Sequence, residues 1–311
     1  MKTCLLFPGQ GAQYPGMGKD LWDASDSVKK LFSTASKAAE MDLEKLLFQG
    51  SAEDLQATDK TQVAITLVSL CSALFLREKG IVPDGFAGFS LGEYAALHEA
   101  GVIGLDHLFP IVKIRGELME KAARSLDSPS GKPGMAAVVG LPVSVMTASV
   151  MTMEKDGVYL ANFNSPVQAV LSGSQDGLAK AEAALKAAGA KRVIRLKVSG
   201  PFHSPYMESA AREFEEALKS FHFAEPKLPV YSNVTGARIS TGAEAREMCR
   251  RQIVSPVRWV AVEESLIADG FTRFLEAGPG TVLTGLFKAL KSDVNVGPAG
   301  KSVDIAKIPA A

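Results

Sequence analysis

The spacing of apolar and polar positions divides the first part of the chain into alternating strands and helices. Short apolar runs bounded by turn residues predict strands at residues 4–7 and about 85–89. Apolar residues at helical spacing predict four helices, at about residues 20–40, 61–79, 91–100 and 107–124. Strands that alternate with helices are typical of a parallel sheet covered on both faces.

The pattern changes after residues 127–134, a cluster of serine, proline and glycine that predicts a linker. Beyond it the predicted order is strand, helix, strand, strand, helix, strand, at residues 135–140, 143–155, 158–164, 168–172, 176–188 and 192–198. This order is that of a ferredoxin-like unit. We therefore predict a small domain at residues 130–198, inserted into a larger α/β domain.

The chain then returns to the large domain, which we predict to be discontinuous, with residues 1–129 and 199–290. In its second part the patterns predict helices and strands at about residues 205–220, 228–232, 243–253, 274–276 and 283–290. Residues 291–311 contain glycine and proline and have no clear period, so we expect a loosely ordered tail.

Composition and charge narrow the class of protein. The 311 residues are 47% hydrophobic, and 34 basic side chains balance 34 acidic ones, so no basic excess suggests a nucleic-acid partner. The longest apolar stretch, residues 63–76, is too short to span a bilayer, and we interpret it as a buried helix. Three cysteines lie far apart, which predicts reduced thiols, no metal site and a cytoplasmic location. The sequence does not indicate an oligomeric state, and a monomer is the default expectation.

Ser90 is the candidate nucleophile. It lies in a Gly-x-Ser-x-Gly frame, residues 88–92, at the boundary between a predicted strand and a predicted helix. A serine on such a sharp turn presents its hydroxyl at the end of the sheet, where helix amides point at the group it attacks. The alternative is structural, because Ser90 and Glu93 also satisfy the Ser-x-x-Glu pattern of a helix capping box.

A serine nucleophile needs a base. Of the four histidines, His203 lies in a stiff Pro-Phe-His-Ser-Pro loop between a predicted strand and a predicted helix, where a side chain can be aimed at a site. None of the aspartates between Ser90 and His203 follows a strand of the large domain. We therefore predict a serine–histidine dyad without an acid rather than a triad.

Arg115 lies on the apolar face of the helix predicted at residues 107–124, opposite the charged face. A buried guanidinium must find an anion, because an unpaired buried charge costs several kcal/mol. Two interpretations stay open: a structural ion pair, or a clamp on a substrate carboxylate.

Seven short segments occur in one order along the chain: FPGQGAQ at 7–13, GFSLGEY at 88–94, IRG at 114–116, NFNSP at 162–166, FH at 202–203, SPVRW at 255–259 and EAGPG at 276–280. Together they closely resemble the bacterial malonyl-CoA:acyl carrier protein transacylases, from about residue 4 to about residue 290. The resemblance implies an α/β-hydrolase-like domain with a ferredoxin-like insertion and a role in fatty-acid synthesis. Malonyl-CoA and acyl carrier protein are the implied partners, with no permanently bound cofactor.

The resemblance also implies a ping-pong reaction. Ser90 attacks the malonyl thioester with His203 as the general base, coenzyme A leaves, and the carrier thiol takes the malonyl group from the serine. The backbone amides of Gln10 and Leu91 match the oxyanion hole of the family, where one donor contributes about 3 kcal/mol.

Three further positions correspond to functional positions of the family. Arg115 would hold the free malonyl carboxylate, and the backbone carbonyl of Gln252 would orient the histidine. Phe202 is the bulky residue that favours malonyl over branched acyl groups. Phe89 departs from the family, most of whose members have histidine there, so its effect on the acyl group is undetermined. Exposed cations are candidates for carrier binding, namely Lys191, Arg192, Arg250 and Lys288.

Three alternative functions stay open. An acyltransferase that loads a polyketide carrier protein would share every one of these motifs. A serine thioesterase or esterase is disfavoured by Arg115 and by the missing acid. A binding module without catalysis would form no acyl adduct on Ser90.

Overall fold

The computed structural model describes residues 1–127, 131–291 and 293–309. It confirms the α/β class. The strands form two separate four-stranded sheets, one parallel and one antiparallel.

The first part of the chain follows the predicted alternation of strands and helices. Its elements are β1 (Thr3–Phe7), α1 (Lys19–Ala24), α2 (Asp26–Ala39), α3 (Leu43–Gln49), α4 (Thr58–Glu78), β2 (Gly85–Gly88), α5 (Gly92–Glu99) and α6 (Leu105–Ser125). The helix predicted at residues 20–40 is two helices, because Ser25 has an extended backbone and its side chain caps α2 by accepting from the amide of Val28. The seven-residue helix α3 was not predicted, since it is too short to show a period.

The middle part contains β3 (Gly134–Val139), α7 (Val143–Met151), β4 (Val158–Ser165), β5 (Gln168–Gly173), α8 (Gln175–Ala187) and β6 (Arg192–Arg195). These strands form one sheet in the order β4-β5-β3-β6, and every pair in it is antiparallel. Asn162 of β4 also makes one isolated parallel bridge to Val257. Of the predicted linker, Ser128, Pro129 and Ser130 lie outside the described residues.

The remainder contains α9 (Glu208–Leu218), α10 (Gly242–Gln252), α11 (Trp259–Ala268), β7 (Arg273–Glu276), α12 (Val282–Leu290), β8 (Asn295–Pro298) and α13 (Ser302–Ile305). The strand predicted at residues 228–232 is wrong as a full strand. Val230 makes one isolated bridge to Phe86 and Tyr231 one to Arg238, so the segment lies beside the sheet edge without a continuous ladder.

The expectation of a loosely ordered tail is also wrong for its described residues. β8 pairs in parallel with β7, and Ala299 and Ile305 are buried. The backbone amide of Ser302 donates to Asp20 near the other end of the chain. This order comes from the neighbouring strand and not from any period in the tail itself. The division into two domains at residues 129–130 and 198–199 stays a prediction.

The helix α4 forms part of the main hydrophobic core. In the described part of the chain it alone is long and apolar enough to cross a membrane, but 83% of its most apolar window is buried inside the protein. It packs against α6 and α2. This burial supports the interpretation of residues 63–76 as a core helix.

The order of the parallel sheet, β2-β1-β7-β8, brings two loops together at one edge. Phe7 pairs with Gly88, so the loop after β1 and the turn after β2 leave the sheet side by side. Two glycines make this close approach possible. A Cβ at Gly88 would lie 2.0 Å from the backbone of Gly92, and one at Gly92 would lie 2.0 Å from the carbonyl of Phe7.

Candidate active site

Ser90 lies on the sharp turn between β2 and α5, as its sequence frame predicts. Its φ of 51° is in the left-handed region, which costs a non-glycine residue about 1 kcal/mol or more. The backbone amide of Ser90 donates to Oδ1 of Asn233 at 2.5 Å, and the side chain of Asn233 in turn donates to the carbonyl of Gly88 at 2.7 Å. One asparagine therefore holds both sides of the strained turn.

His203 lies beside the serine hydroxyl, although the two residues are far apart in sequence. Its Nε2 is 2.8 Å from Ser90 Oγ, and its Nδ1 is 2.8 Å from the backbone carbonyl of Gln252. Because a carbonyl only accepts, Nδ1 carries the proton and Nε2 is left to accept the proton of the serine. No carboxylate contacts His203 within the described ranges, which agrees with a dyad.

The electrostatics around His203 favour the neutral imidazole. Burial, together with the nearby charge of Arg115, lowers the pKa of His203 to about 4, against the opposing effect of the hydrogen bond to Gln252. The ring is therefore neutral at neutral pH, and its Nε2 is available as a base. Its φ of 58° is also in the left-handed region, so the backbone is strained at both members of the pair.

Arg115 reaches the same point from α6 and is only 1% exposed. Its Nη1 donates to Oε1 of Gln62 at 2.8 Å, and its Nη2 donates to Oε1 of Gln252 at 2.9 Å and to Ser90 Oγ at 3.3 Å. The guanidinium also lies over the ring of Tyr94, 5.3 Å from its centroid. No ion pair among the described residues includes Arg115, so the structural ion pair considered from the sequence is absent there.

Gln10 and Leu91 both line the cavity that contains Ser90. Neither of their backbone amides donates to an acceptor in the parts of the chain that the structure describes. Leu91 directly follows the serine, and Gln10 lies in the loop after β1. Two free amides beside a nucleophile are the arrangement that receives a developing oxyanion.

A buried polar layer lies behind the turn, and sequence reasoning missed most of it. Glu93 is fully buried, and its Oε2 accepts from the amide of Asn233 at 2.9 Å and from Nε2 of Gln252 at 2.8 Å. Burial raises the pKa of Glu93 to about 7, while these hydrogen bonds and the charge of Arg115 act in the opposite direction. The capping-box alternative is wrong, since no side chain caps α5.

Sequence reasoning singled out neither Gln62 nor Asn233. A glutamine inside the apolar run of α4 was the available signal for Gln62, because a buried carboxamide needs partners. No comparable signal identifies Asn233, whose contacts with Gly88, Ser90 and Glu93 are 140 or more residues away along the chain.

The cavity over Ser90 has a volume of about 490 Å³ and opens between the two sheets. Phe202, Phe89 and Leu286 supply apolar walls, and the ring of Phe89 packs against Trp259 at 5.4 Å. The antiparallel sheet contributes a side with amide groups, from Asn162, Asn164 and Gln168. Among the described residues no cluster of three histidine, cysteine or acidic side chains suits a metal ion.

The cations proposed from the sequence for carrier binding lie in different surroundings. Lys191, Arg192 and Lys288 are exposed. Arg250 is half-buried and pairs with Glu247 at 2.8 Å, so it is less free to meet a partner.

Comparison with known proteins identifies a consistent set of relatives. The model of the acyl transferase domain matches residues 4–303. The malonyl CoA-acyl carrier protein transacylase of Bacillus subtilis (strain 168) is 40% identical over 289 residues, which is 92% of this chain and 90% of the relative.

Two solved structures are similar over almost their whole length. An acyl carrier protein S-malonyltransferase from Vibrio cholerae has a TM-score of 0.93 at 35% identity, covering 99% of this chain and 100% of that one. A malonyl-transacylase solved in complex with its type II PKS acyl-carrier protein also has a TM-score of 0.93 at 35% identity, covering 98% of both chains.

Proposed function

The chain belongs to the acyl transferase domain family, and we propose that it transfers the malonyl group of malonyl-CoA to the phosphopantetheine thiol of an acyl carrier protein, supplying fatty-acid synthesis. The family predicted from the seven sequence segments is confirmed, and so is the class of enzyme, an acyltransferase. One observation carries the proposal. A serine hydroxyl has a neutral imidazole at 2.8 Å and a buried guanidinium at 3.3 Å, in one cavity.

In the first step Ser90 is acylated. His203 Nε2 takes the hydroxyl proton as Ser90 Oγ attacks the thioester carbonyl of malonyl-CoA. The amides of Gln10 and Leu91 receive the oxyanion of the tetrahedral intermediate. The carbon–sulfur bond then breaks, and the sulfur of coenzyme A leaves with the proton held by His203. A malonyl ester on Ser90 remains.

In the second step the carrier takes the malonyl group. The thiol of the phosphopantetheine arm gives its proton to His203, and the sulfur attacks the ester carbonyl. The same two amides stabilise the second oxyanion. When the ester bond breaks, the oxygen of Ser90 recovers the proton from His203, which restores the resting enzyme.

Selectivity for malonyl comes from Arg115. Among the described residues, every hydrogen-bond partner of its guanidinium is a neutral oxygen atom. The free carboxylate of the malonyl group would therefore supply the anion that the buried cation lacks. A carboxylate pairs with two guanidinium nitrogens in a fixed geometry. Phe202 lies on the cavity wall, is 5% exposed, and limits the space for branched acyl groups. Exclusion of one additional methyl group by shape contributes about 1–3 kcal/mol of discrimination.

The fold proposed for this chemistry is an α/β-hydrolase-like domain with a ferredoxin-like insertion. The turn between β2 and α5, with its strained serine, supports the first part. The second part is supported by the element order of β3 to β6, which is βαββαβ, and by the antiparallel sheet order β4-β5-β3-β6. We further propose a cytoplasmic monomer without a permanently bound cofactor, consistent with three free buried cysteines.

The experiment that tests the function is incubation with malonyl-CoA followed by intact mass measurement. We expect a mass gain of one malonyl group, its loss when acyl carrier protein is added, and no gain in Ser90→Ala. Fast hydrolysis of malonyl-CoA without the carrier would instead identify a thioesterase or esterase. If Ser90 is not acylated at all, the protein is a binding module without catalysis.

A second candidate is transfer to the carrier protein of a polyketide synthase. The favouring observation is the structural relative that was solved with a type II PKS carrier. Both functions share the acylation step, so the second half-reaction must separate them. Malonyl-loaded enzyme is offered a fatty-acid carrier and a polyketide carrier in competition, and the faster transfer identifies the partner.

A further inference from the structure

The positive charge of Arg115 is held without a carboxylate in contact. Its hydrogen bonds go to two carboxamide oxygens, of Gln62 and Gln252, and to the hydroxyl of Ser90. A carboxamide stabilises a guanidinium only when its oxygen, and not its NH₂ group, faces the cation. The position of Arg115 therefore depends on the orientation of these two carboxamide groups, with the oxygen and not the NH₂ group towards the guanidinium.

The two carboxamides are oriented very differently. Among the described residues, the NH₂ group of Gln62 donates only to the sulfur of Met119, a weak acceptor, at 3.7 Å. The NH₂ group of Gln252 donates to the backbone carbonyl of Ser90 at 3.0 Å and to Oε2 of Glu93 at 2.8 Å. Gln252 is thus the firmly oriented one, and Glu93 is the side chain that orients it.

Gln252 also connects the cation to the base. Its backbone carbonyl accepts from His203 Nδ1 at 2.8 Å, while its side-chain oxygen accepts from Arg115 Nη2 at 2.9 Å. We propose that Glu93 is a positioning residue for malonyl selectivity: its buried carboxyl oxygen fixes the orientation of the Gln252 carboxamide, which holds Arg115 where the malonyl carboxylate binds. This inference rests on the proposed function, since it explains how Arg115 selects that substrate.

The role of Glu93 is to place an acceptor and not to supply a charge. Oε2 makes both hydrogen bonds, to Asn233 and Gln252, whereas Oε1 has no partner among the described residues. A proton on Oε1 leaves both bonds of Oε2 intact. A glutamine in place of Glu93 keeps an oxygen at the position of Oε2, because an NH₂ group there would face two donors.

Two conservative variants of Glu93 separate the position of its acceptor oxygen from its charge. Glu93→Gln keeps the acceptor in place and removes the charge. Glu93→Asp keeps the charge but withdraws the acceptor by one carbon–carbon bond, which breaks contact with a donor now at 2.8 Å. The control is Glu263→Gln, since Glu263 is an equally buried acid in α11 without a contact to Gln252.

The experiment measures acylation of Ser90 by malonyl-CoA and by acetyl-CoA, which lacks the free carboxylate, with kcat and KM separated. We expect Glu93→Asp to lower the malonyl-to-acetyl ratio of kcat/KM about tenfold or more, mainly by raising the KM for malonyl-CoA. We expect Glu93→Gln and Glu263→Gln to stay within about threefold of the starting ratio.

The outcomes that would overturn the inference are distinct from failure of the proposed function. An unchanged ratio in Glu93→Asp, or a larger loss in Glu93→Gln than in Glu93→Asp, excludes orientation of Gln252 by the acceptor. An equal loss of both substrates makes Glu93 a residue of general stability. The proposed function fails separately, if the unsubstituted protein forms no malonyl adduct or hydrolyses malonyl-CoA rapidly without the carrier.

Discussion

The guanidinium nitrogen Nη2 of Arg115 lies 3.3 Å from the hydroxyl oxygen of Ser90, although the two residues are 25 positions apart in the chain. A helix brings the cation and a strained turn brings the hydroxyl, so neither depends on a mobile loop. In a three-carbon diacid esterified to that oxygen, one CH₂ group separates the ester carbon from the free carboxyl group. The cation is therefore close enough to bind the free end of the malonyl group in the proposed acyl-serine intermediate.

Removal of this cation tests its role directly. We expect Arg115→Ala to lower malonyl transfer about 100-fold or more, because truncation of one partner of a buried charged pair costs about 3 kcal/mol. Transfer of acetyl, which has no carboxylate, should fall much less. Rates of Ser90 acylation by the two thioesters, measured by intact mass, give the comparison.

Arg115→Lys is the matched control. It keeps the charge but loses the planar pair of donors, so malonyl transfer should be intermediate between that of the unsubstituted protein and that of Arg115→Ala. Equal losses for malonyl and acetyl in Arg115→Ala would instead assign Arg115 to the stability of the fold.

Arg115 and Ser90 were identifiable from the sequence as candidate site residues because each breaks a local pattern. Arg115 stands on an apolar helix face, and Ser90 stands between two glycines at a strand end. Asn233 has no such local signature, and the Ser-x-x-Glu pattern that includes Glu93 predicted a helix cap instead of its observed partners. The hydrogen bonds of Glu93 join residues 140 or more positions apart. Sequence patterns reveal which side chains are unusual, but they do not reveal which distant groups meet them.

The lack of a local pattern also explains why two elements of the fold, α11 and β8, were not predicted from the sequence. The helix α11 is apolar on most sides and buries Glu263, so it lacks the polar face that identifies a helix. β8 has the sequence Asn-Val-Gly-Pro and is a strand only because β7 lies beside it. Elements with a strong period of their own, such as α6, were predicted to within about two residues of their observed ends.

The pH dependence of acylation reports the state of His203. Because burial and Arg115 lower the pKa of His203 to about 4, the base is neutral well below the pH at which an ordinary histidine protonates. We expect kcat/KM for acetyl-CoA to lose activity on the acid side only as pH falls towards about 4. Acetyl-CoA avoids titration of a substrate carboxylate.

His203→Ala is the control for that profile. It should slow acylation by about 10²–10⁴-fold while circular dichroism stays unchanged, and the acid limb should disappear. An acid limb near the ordinary histidine pKa of about 6.5 would contradict the buried, neutral imidazole.

The two glycines of the serine turn give a prediction about stability. A Cβ at Gly92 would lie 2.0 Å from the backbone oxygen of Phe7, where no side chain can move away. We expect Gly92→Ala to lower the free energy of unfolding by about 2 kcal/mol or more and to abolish acylation, because the turn must shift. Urea denaturation and the intact-mass assay measure the two effects.

Gly285→Ala is its matched control. Gly285 is exposed in α12, and nothing lies within 4 Å of an added Cβ. Alanine there should raise the free energy of unfolding by about 0.5–1 kcal/mol through helix propensity. If both variants were equally stable, the close approach at Gly92 would not constrain the fold.

Glu263 should make the protein less stable as pH rises. It is fully buried, and burial raises its pKa to about 9, because the indole of Trp259, one helical turn earlier, offsets only part of the lost hydration of the carboxyl group. An exposed glutamate in the unfolded chain has a pKa of about 4.3, so the folded state binds the extra proton between these values. The contribution of this group to stability is therefore complete below about pH 4 and falls by about 1.4 kcal/mol per unit towards about pH 9.

Glu263→Gln removes this dependence and keeps the shape of the side chain. At pH 5 the variant and the unsubstituted protein should differ little, and at pH 8 the variant should be the more stable, by a few kcal/mol, because it has no proton to lose. The other buried acids, Glu93 and Glu276, titrate in both proteins, so the difference between the two urea curves isolates Glu263. A difference that stays constant from pH 5 to pH 8 would mean that Glu263 keeps the same protonation state throughout, and the proposed cost of its burial would then be wrong.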